Sequence, residues 1–206
     1  MSVFGEDDYD DDIDLGPADD DDDVIVPDDY EDDDDDDDAY DDDDDDYEDA
    51  SDDDIDFVVG LYREDGLPVA ENLSSAAAND LDELIEQLRR LPGDAGAIGV
   101  VSIDQDFFVL CRARGRNVQV LLNDSTAAAD WPIARDVADY LGIDVPDHDD
   151  DSEVWGDLDM LADAGLSELD LEAIASDDDD ADELVRQIVD KMKFTTPFDR
   201  AVALNQ

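Results

Sequence analysis

Half of this chain's 68 acidic residues fall within its first 56 positions, and no lysine or arginine occurs before Arg63. Uninterrupted aspartate runs at 32–38 and 41–46 bury nothing, and aspartate is a poor helix former whose carboxylates repel at close spacing. Residues 1–56 are therefore expected to be a disordered poly-aspartate arm, and folding is confined to the rest of the chain. Segregation is required, because a net charge of -57 spread over one compact surface would oppose compaction. An extended chain spaces residues by at most about 3.3 to 3.6 Å, close to the roughly 3.4 Å between phosphates along one nucleic-acid strand. Toward a cationic surface, then, the arm is electrostatically similar to a single strand. Tyr30, Tyr40 and Tyr47 interrupt the acid at intervals and are candidate apolar anchors on a partner.

Beyond the arm, the apolar pattern predicts an α+β domain over 57–143. The stretch 97–124 holds three apolar runs separated by Asp-Gln-Asp and Arg-Gly-Arg-Asn breaks, which reads as a three-stranded antiparallel meander. A two-residue turn with Gly115 first would set Ala113 opposite Val118, Cys111 opposite Val120 and Val109 opposite Leu122. That row is dry, whereas the row holding Arg112, Gln119, Phe108 and Asn123 is mixed. Phe57 to Tyr62 reads as another strand, closed by an Asp-Gly turn and a weaker return strand at Leu67–Leu73, giving about four to five strands. Two amphipathic helices are expected. The first has its stripe at Leu81, Leu84, Ile85, Leu88 and Leu91 and is capped by Ser74 or Ser75. It should lie on the dry face, where Ala97, Gly99 and Ala113 are small enough to admit it. The second starts after Asp130 as cap with Pro132 in its first turn, and Ile133, Val137, Tyr140 and Leu141 form its face.

Residues 144–154 read as an acidic linker, and 155–206 as a cluster of short helices. A Ser167/Asp170 capping box, the aspartates at 177–180 before a Leu184/Ile188/Met192 stripe, and Thr196-Pro197 mark three of them. None is long enough to stand alone, so they pack on one another or dock on the sheet.

The residues argue against catalysis. One cysteine and one histidine cannot supply the usual zinc ligand sets, and one cysteine forms no internal disulfide. Cys111 falls mid-strand on the dry row and reads as a buried structural thiol; His148 sits in the carboxylate-rich linker. No Asp-x-Asp-x-Asp-Gly loop with a closing Glu is present for calcium. Catalytic, cofactor and metal residues are accordingly expected to be none. Phosphate contacts need positive surface, so direct nucleic-acid binding is not expected. No apolar run approaches the length of a membrane span and no basic leader opens the chain, so the cytoplasm is the expected location.

The segments GVVSIDQDFFVLCRARG at 99–115, LLNDSTAAADWPIARDV at 121–137 and FDRAVA at 198–203 resemble the tRNA adenosine deaminase-associated protein family of actinobacteria. The likeness runs over roughly residues 57–203, and Asp-Trp-Pro-x-Ala-Arg, with Trp131 and Arg135, is its most specific part. It implies a small intracellular protein linked to the enzyme that converts the tRNA wobble adenosine to inosine. A deaminase itself needs H-x-E and P-C-x-x-C to hold zinc and move protons, and this chain has neither. The expectation is a non-catalytic accessory protein whose acidic arm engages a basic, RNA-handling partner. Trp131 and Arg135 join the three tyrosines as candidate contacts. The alternative is a ligand-binding or enzymatic α+β domain with an arm that serves only solubility.

Overall fold

The computed structural model describes residues 49–93, 95–145 and 151–204. The chain divides into two units, Met1–Asp43 and Asp44–Gln206, and every described residue belongs to the second. The arm expected over 1–56 lies outside the described residues as far as position 48; residues 50–56 belong to the body, where Ala50 is buried against the fold, Asp56 is hydrogen-bonded and β1 starts at Ile55.

Six antiparallel strands form a single sheet: β1 (Ile55–Glu64), β2 (Leu67–Asn72), β3 (Ala97–Ile103), β4 (Phe107–Arg114), β5 (Asn117–Leu122) and β6 (Trp155–Gly156), in the order β2-β1-β3-β4-β5-β6. The meander has the register that its apolar rows dictate, with Ala113 against Val118, Cys111 against Val120 and Val109 against Leu122. Gly115 turns it at φ 60, the left-handed conformation glycine adopts without strain. Asp65 and Gly66 close the β1–β2 hairpin, both at positive φ, as an Asp-Gly turn of the primed type requires. The strand not anticipated is β6, only two residues long; Trp155 and Gly156 pair with Leu122 and Leu121.

Helix α1 (Leu81–Arg90) begins later than its serines suggest. Ser74 caps a separate 3-10 turn at Ser75–Ala78, and the Asp80 carboxylate accepts the Glu83 N–H to start the helix proper. Asn79 explains the break, because its side-chain amide bonds both the N–H and the carbonyl of Ala50 and holds that turn apart. The helix buries Leu81, Leu84, Ile85 and Leu88. A Cβ on Gly99 would stand 2.9 Å from Leu84 and 3.0 Å from Leu88, so the missing side chain sets how closely α1 approaches. Gly60, paired with Gly99 across β1 and β3, does the same beneath Leu91.

Helix α2 (Pro132–Leu141) is led by Trp131 without a side-chain cap, and Asp130 instead ends a 3-10 turn at Ser125–Ala129. Pro132 at the first helical position supplies the start that a cap otherwise would. Tyr140 is 49% exposed, with its hydroxyl donating to the Val118 carbonyl at 3.1 Å, so it guards the β5 edge and does not line the core.

Helices α3 (Glu168–Ala175), α4 (Ala181–Met192) and α5 (Thr195–Ala203) dock on the sheet. They cover the face opposite α1 and α2, so the sheet is the middle of three layers. Beneath them lie Phe57, Val59, Leu61, Ile98, Val100, Phe108, Leu110 and Leu121, and Phe198 meets Phe57 edge-on with centroids 5.2 Å apart. The mixed row of the meander is thus a second core.

Candidate functional site

At the end of the sheet where β1 begins, local hydrogen bonding gathers four carboxylate-bearing segments. The β3–β4 turn holds Asp104 and Gln105 at φ 53 and 57, a conformation seldom adopted by residues other than glycine, asparagine and aspartate. Tertiary bonds fix it. The Asp56 carboxylate accepts the Gln105 N–H at 2.8 Å and the buried Ser102 hydroxyl at 2.9 Å, and the Asp54 carbonyl accepts the Asp104 N–H at 2.7 Å. The Gln105 carbonyl in turn accepts the first N–H of α4, from Ala181, at 2.9 Å. Nearby, Asp124 caps the 3-10 turn after β5 through Thr126, and Glu153 and Ser125 exchange hydrogen bonds of 3.0 Å.

These segments enclose a polar cleft of about 390 Å³ lined in part by Asp106, Asp124, Glu153 and the aspartates at 177–180. Partial desolvation raises the Asp106 carboxyl above the ordinary carboxylate value, and Asp124 and Asp104 push it the same way. A cleft so lined favours a guanidinium or ammonium group and repels phosphate. Among the described residues no group of three or more histidine, cysteine, aspartate or glutamate side chains is placed to hold a metal ion. A second acidic groove of about 320 Å³ lies between the start of α1 and the outer side of α2, where Asp80, Asp82, Asp136 and Asp139 meet. Asp136 accepts the Leu81 N–H at 3.0 Å, and burial raises its carboxyl despite that bond, with Asp80, Asp139 and Asp82 adding to the rise.

Trp131 and Arg135 come together one turn apart on α2, where the Arg135 N–H donates to the Trp131 carbonyl at 3.1 Å. Both are half-buried. The Trp131 ring packs against Phe107 with centroids 6.0 Å apart, beside Asp106 and hence at the acidic end of the sheet. Tyr30, Tyr40 and Tyr47 lie outside the described residues, as does His148. Cys111 is fully buried and its thiol is pushed up to about 12 by that burial, which keeps it protonated and unreactive near neutral pH.

At the opposite end of the strands, Arg112 is buried. Its side chain is 6% exposed, and its guanidinium bonds Asp163 and the Met160 carbonyl. Arg114 shares Asp163, and the two arginines hold that carboxyl well below the usual range, Arg112 contributing most. Sequence reading missed this arrangement and the acidic cleft for one reason. With 68 acids in the chain, no individual Asp or Glu stands out until tertiary structure groups it.

Among the described residues no helix is long and apolar enough to cross a membrane. Residues 56–195 match the family model described as Rv3753c-like tRNA adenosine deaminase-associated protein. The chain is 33% identical over 142 residues to Protein Rv3753c of Mycobacterium tuberculosis (strain ATCC 25618 / H37Rv), an alignment spanning 67% of this chain and 82% of that protein. No solved structure matches it. The six-stranded sheet, apart from Ile55 at the start of β1, falls inside the matched region together with all of α1 to α4, and the chain belongs to the Rv3753c-like tRNA adenosine deaminase-associated protein family.

Proposed function

We propose that this protein is a non-catalytic accessory of a tRNA adenosine deaminase that binds the enzyme's basic, RNA-facing surface through acid-rich elements. The observation that carries the reading is the acidic cleft at the β3–β4 end of the sheet, the end at which β1 starts at Ile55. In this reading the acids of residues 1–48 and those of the cleft each offer negative charge to a cationic groove that otherwise takes phosphates. Trp131, packed on Phe107 at that end, supplies an aromatic contact, and Arg135 one helical turn further on is a second candidate contact. The absence of H-x-E and P-C-x-x-C from the sequence supports an accessory role over a catalytic one. Net negative charge supports a protein partner over nucleic acid, and a partner that works on tRNA places the pair in the cytoplasm.

The test is the affinity of the purified deaminase for three forms of the protein across a salt series. The full chain, a form lacking residues 1–48, and a full-length form with the aspartates at 177–180 changed to asparagine are compared. Truncation after position 48 spares Ala50, Asp54 and Asp56, which bond to the body. Expected are an affinity that falls with rising salt and a loss of about tenfold or more for each altered form, equivalent to roughly 1.4 kcal/mol. Equal affinity of all three, without salt dependence, would overturn the reading.

A further inference from the structure

Among the described residues Arg63 makes no ion pair, although the chain has 68 acids for 11 lysines and arginines. It is nonetheless firmly held. One guanidinium nitrogen donates to the Met192 carbonyl at 2.9 Å, the other to the Gly66 carbonyl at 3.4 Å, and the guanidinium carbon lies 4.8 Å from the centre of the Phe194 ring. Arg112 faces the same space from β4. Its Nη atoms are taken by Asp163, Met160 and, weakly at 3.5 Å, Ala95, while its buried Nε donates to nothing among the described residues.

Between the two arginines lies a cavity of about 80 Å³ with walls from Leu61, Ile98, Ala164 and Phe194. Asp163 also borders it, but Arg112 and Arg114 both claim that carboxylate. Among the described residues that line the cavity, two guanidiniums face one carboxylate, and that carboxylate is shared with Arg114 from outside, which leaves local positive charge in a molecule that is otherwise strongly negative. A half-buried guanidinium held ready by carbonyls and a ring, with no acid among the described residues as its partner, is the arrangement expected of an anion site.

Size and charge narrow the anion. Some 80 Å³ accommodates a carboxylate and a carbon or two, and the apolar walls suit an aliphatic stem. The chain's net negative field penalises a dianion more than a monoanion, which disfavours phosphate. We infer that the cavity between Arg63 and Arg112 is a binding site for a monoanionic carboxylate on a short aliphatic stem, with Arg63 as its charge partner. The site lies at the opposite end of the strands from the acidic cleft and does not depend on the deaminase reading.

The experiment titrates the isotopically labelled full chain with propionate against chloride at constant ionic strength, following the Nε–H signals of Arg63 and Arg112 by nuclear magnetic resonance. A saturable shift is expected with propionate alone. Arg63→Gln should weaken it by about tenfold or more, as loss of a charge-assisted pair does, with a circular dichroism spectrum that still reports the folded chain. Arg63→Lys, which keeps charge but loses the planar fork, should fall between. Trialanine with a free and with an amidated C-terminus separates two sources of the carboxylate. Binding of the free form alone points to a peptide terminus, and binding of propionate without either peptide points to a small free acid. The inference is overturned by the absence of a saturable shift with propionate and with free trialanine, by phosphate binding more tightly than propionate, or by Arg63→Gln binding propionate as the parent does.

Discussion

Asp136 shows how much a single carboxyl depends on its neighbours here. It stands on α2, caps the first N–H of α1 and faces Asp80, Asp82 and Asp139. Its folded-state proton affinity is raised, as is that of Asp106 in the cleft, so both take up protons more readily in the folded than in the unfolded chain. Folding is therefore favoured as pH falls from about 7 into the raised range of these two groups. Asp163 works in the opposite sense. Its depressed value contributes stability that is fully present above the ordinary aspartate value of about 3.9 and is lost as pH falls below it. At fixed ionic strength the melting temperature should rise on mild acidification and fall again below about pH 4. Asp136→Asn, which keeps an acceptor for Leu81 without the charge, should flatten the rise. A melting temperature that falls steadily from neutral pH downward would contradict this.

Helix α1 and the sheet beneath it were legible almost residue by residue. A stripe at helical spacing, small residues on the facing strands and a dry row in the meander pointed to the contact that Leu84, Leu88 and Gly99 make. Gly60 escaped notice, because its place beside Gly99 follows from the β1–β3 pairing and that pairing is non-local. Helix starts were less legible, since Ser74 and Asp80 are both competent caps and only the Asn79 clasp on Ala50 decides between them. Because the two glycines form one notch under α1, Gly99→Val should destabilise by about 1–3 kcal/mol through overpacking against Leu84 and Leu88. Chemical denaturation measures it. A loss below about 0.5 kcal/mol, the range of ordinary surface changes, would mean that the notch is not tight.

At the scale of the whole molecule the C-terminal helices complete the core. Phe57, Phe108, Leu110 and Leu121 are buried only because α3 to α5 cover them, and each such side chain contributes about 1.5–3 kcal/mol when buried. A chain ending at Gly156 would leave that face open. It should be insoluble or lack a cooperative melting transition, as solubility and calorimetry would report. A soluble fragment 1–156 that melts cooperatively would show instead that the sheet and its first two helices stand alone. The sequence carried a sign of this second layer. Near-continuous apolar runs in β1, β3 and β4 are the mark of strands covered on both faces, whereas one-sided strands alternate. The sign was obscured by Arg112 and Asn123 in the mixed row, polar residues whose partners, Asp163 and the Phe108 N–H, become visible only in the folded chain.

Local physics determined strands β1 to β5, the turn types, the meander register and the apolar stripe of α1. Each depends on residues a few positions apart, where spacing and steric preference leave little choice. Tertiary structure alone decided which face the last three helices cover, which carboxylates share a cleft, and that Arg63 and Arg112 meet across a cavity. Those outcomes join residues up to about 130 positions apart, and hydrophobicity brings such segments together without specifying which polar groups will meet.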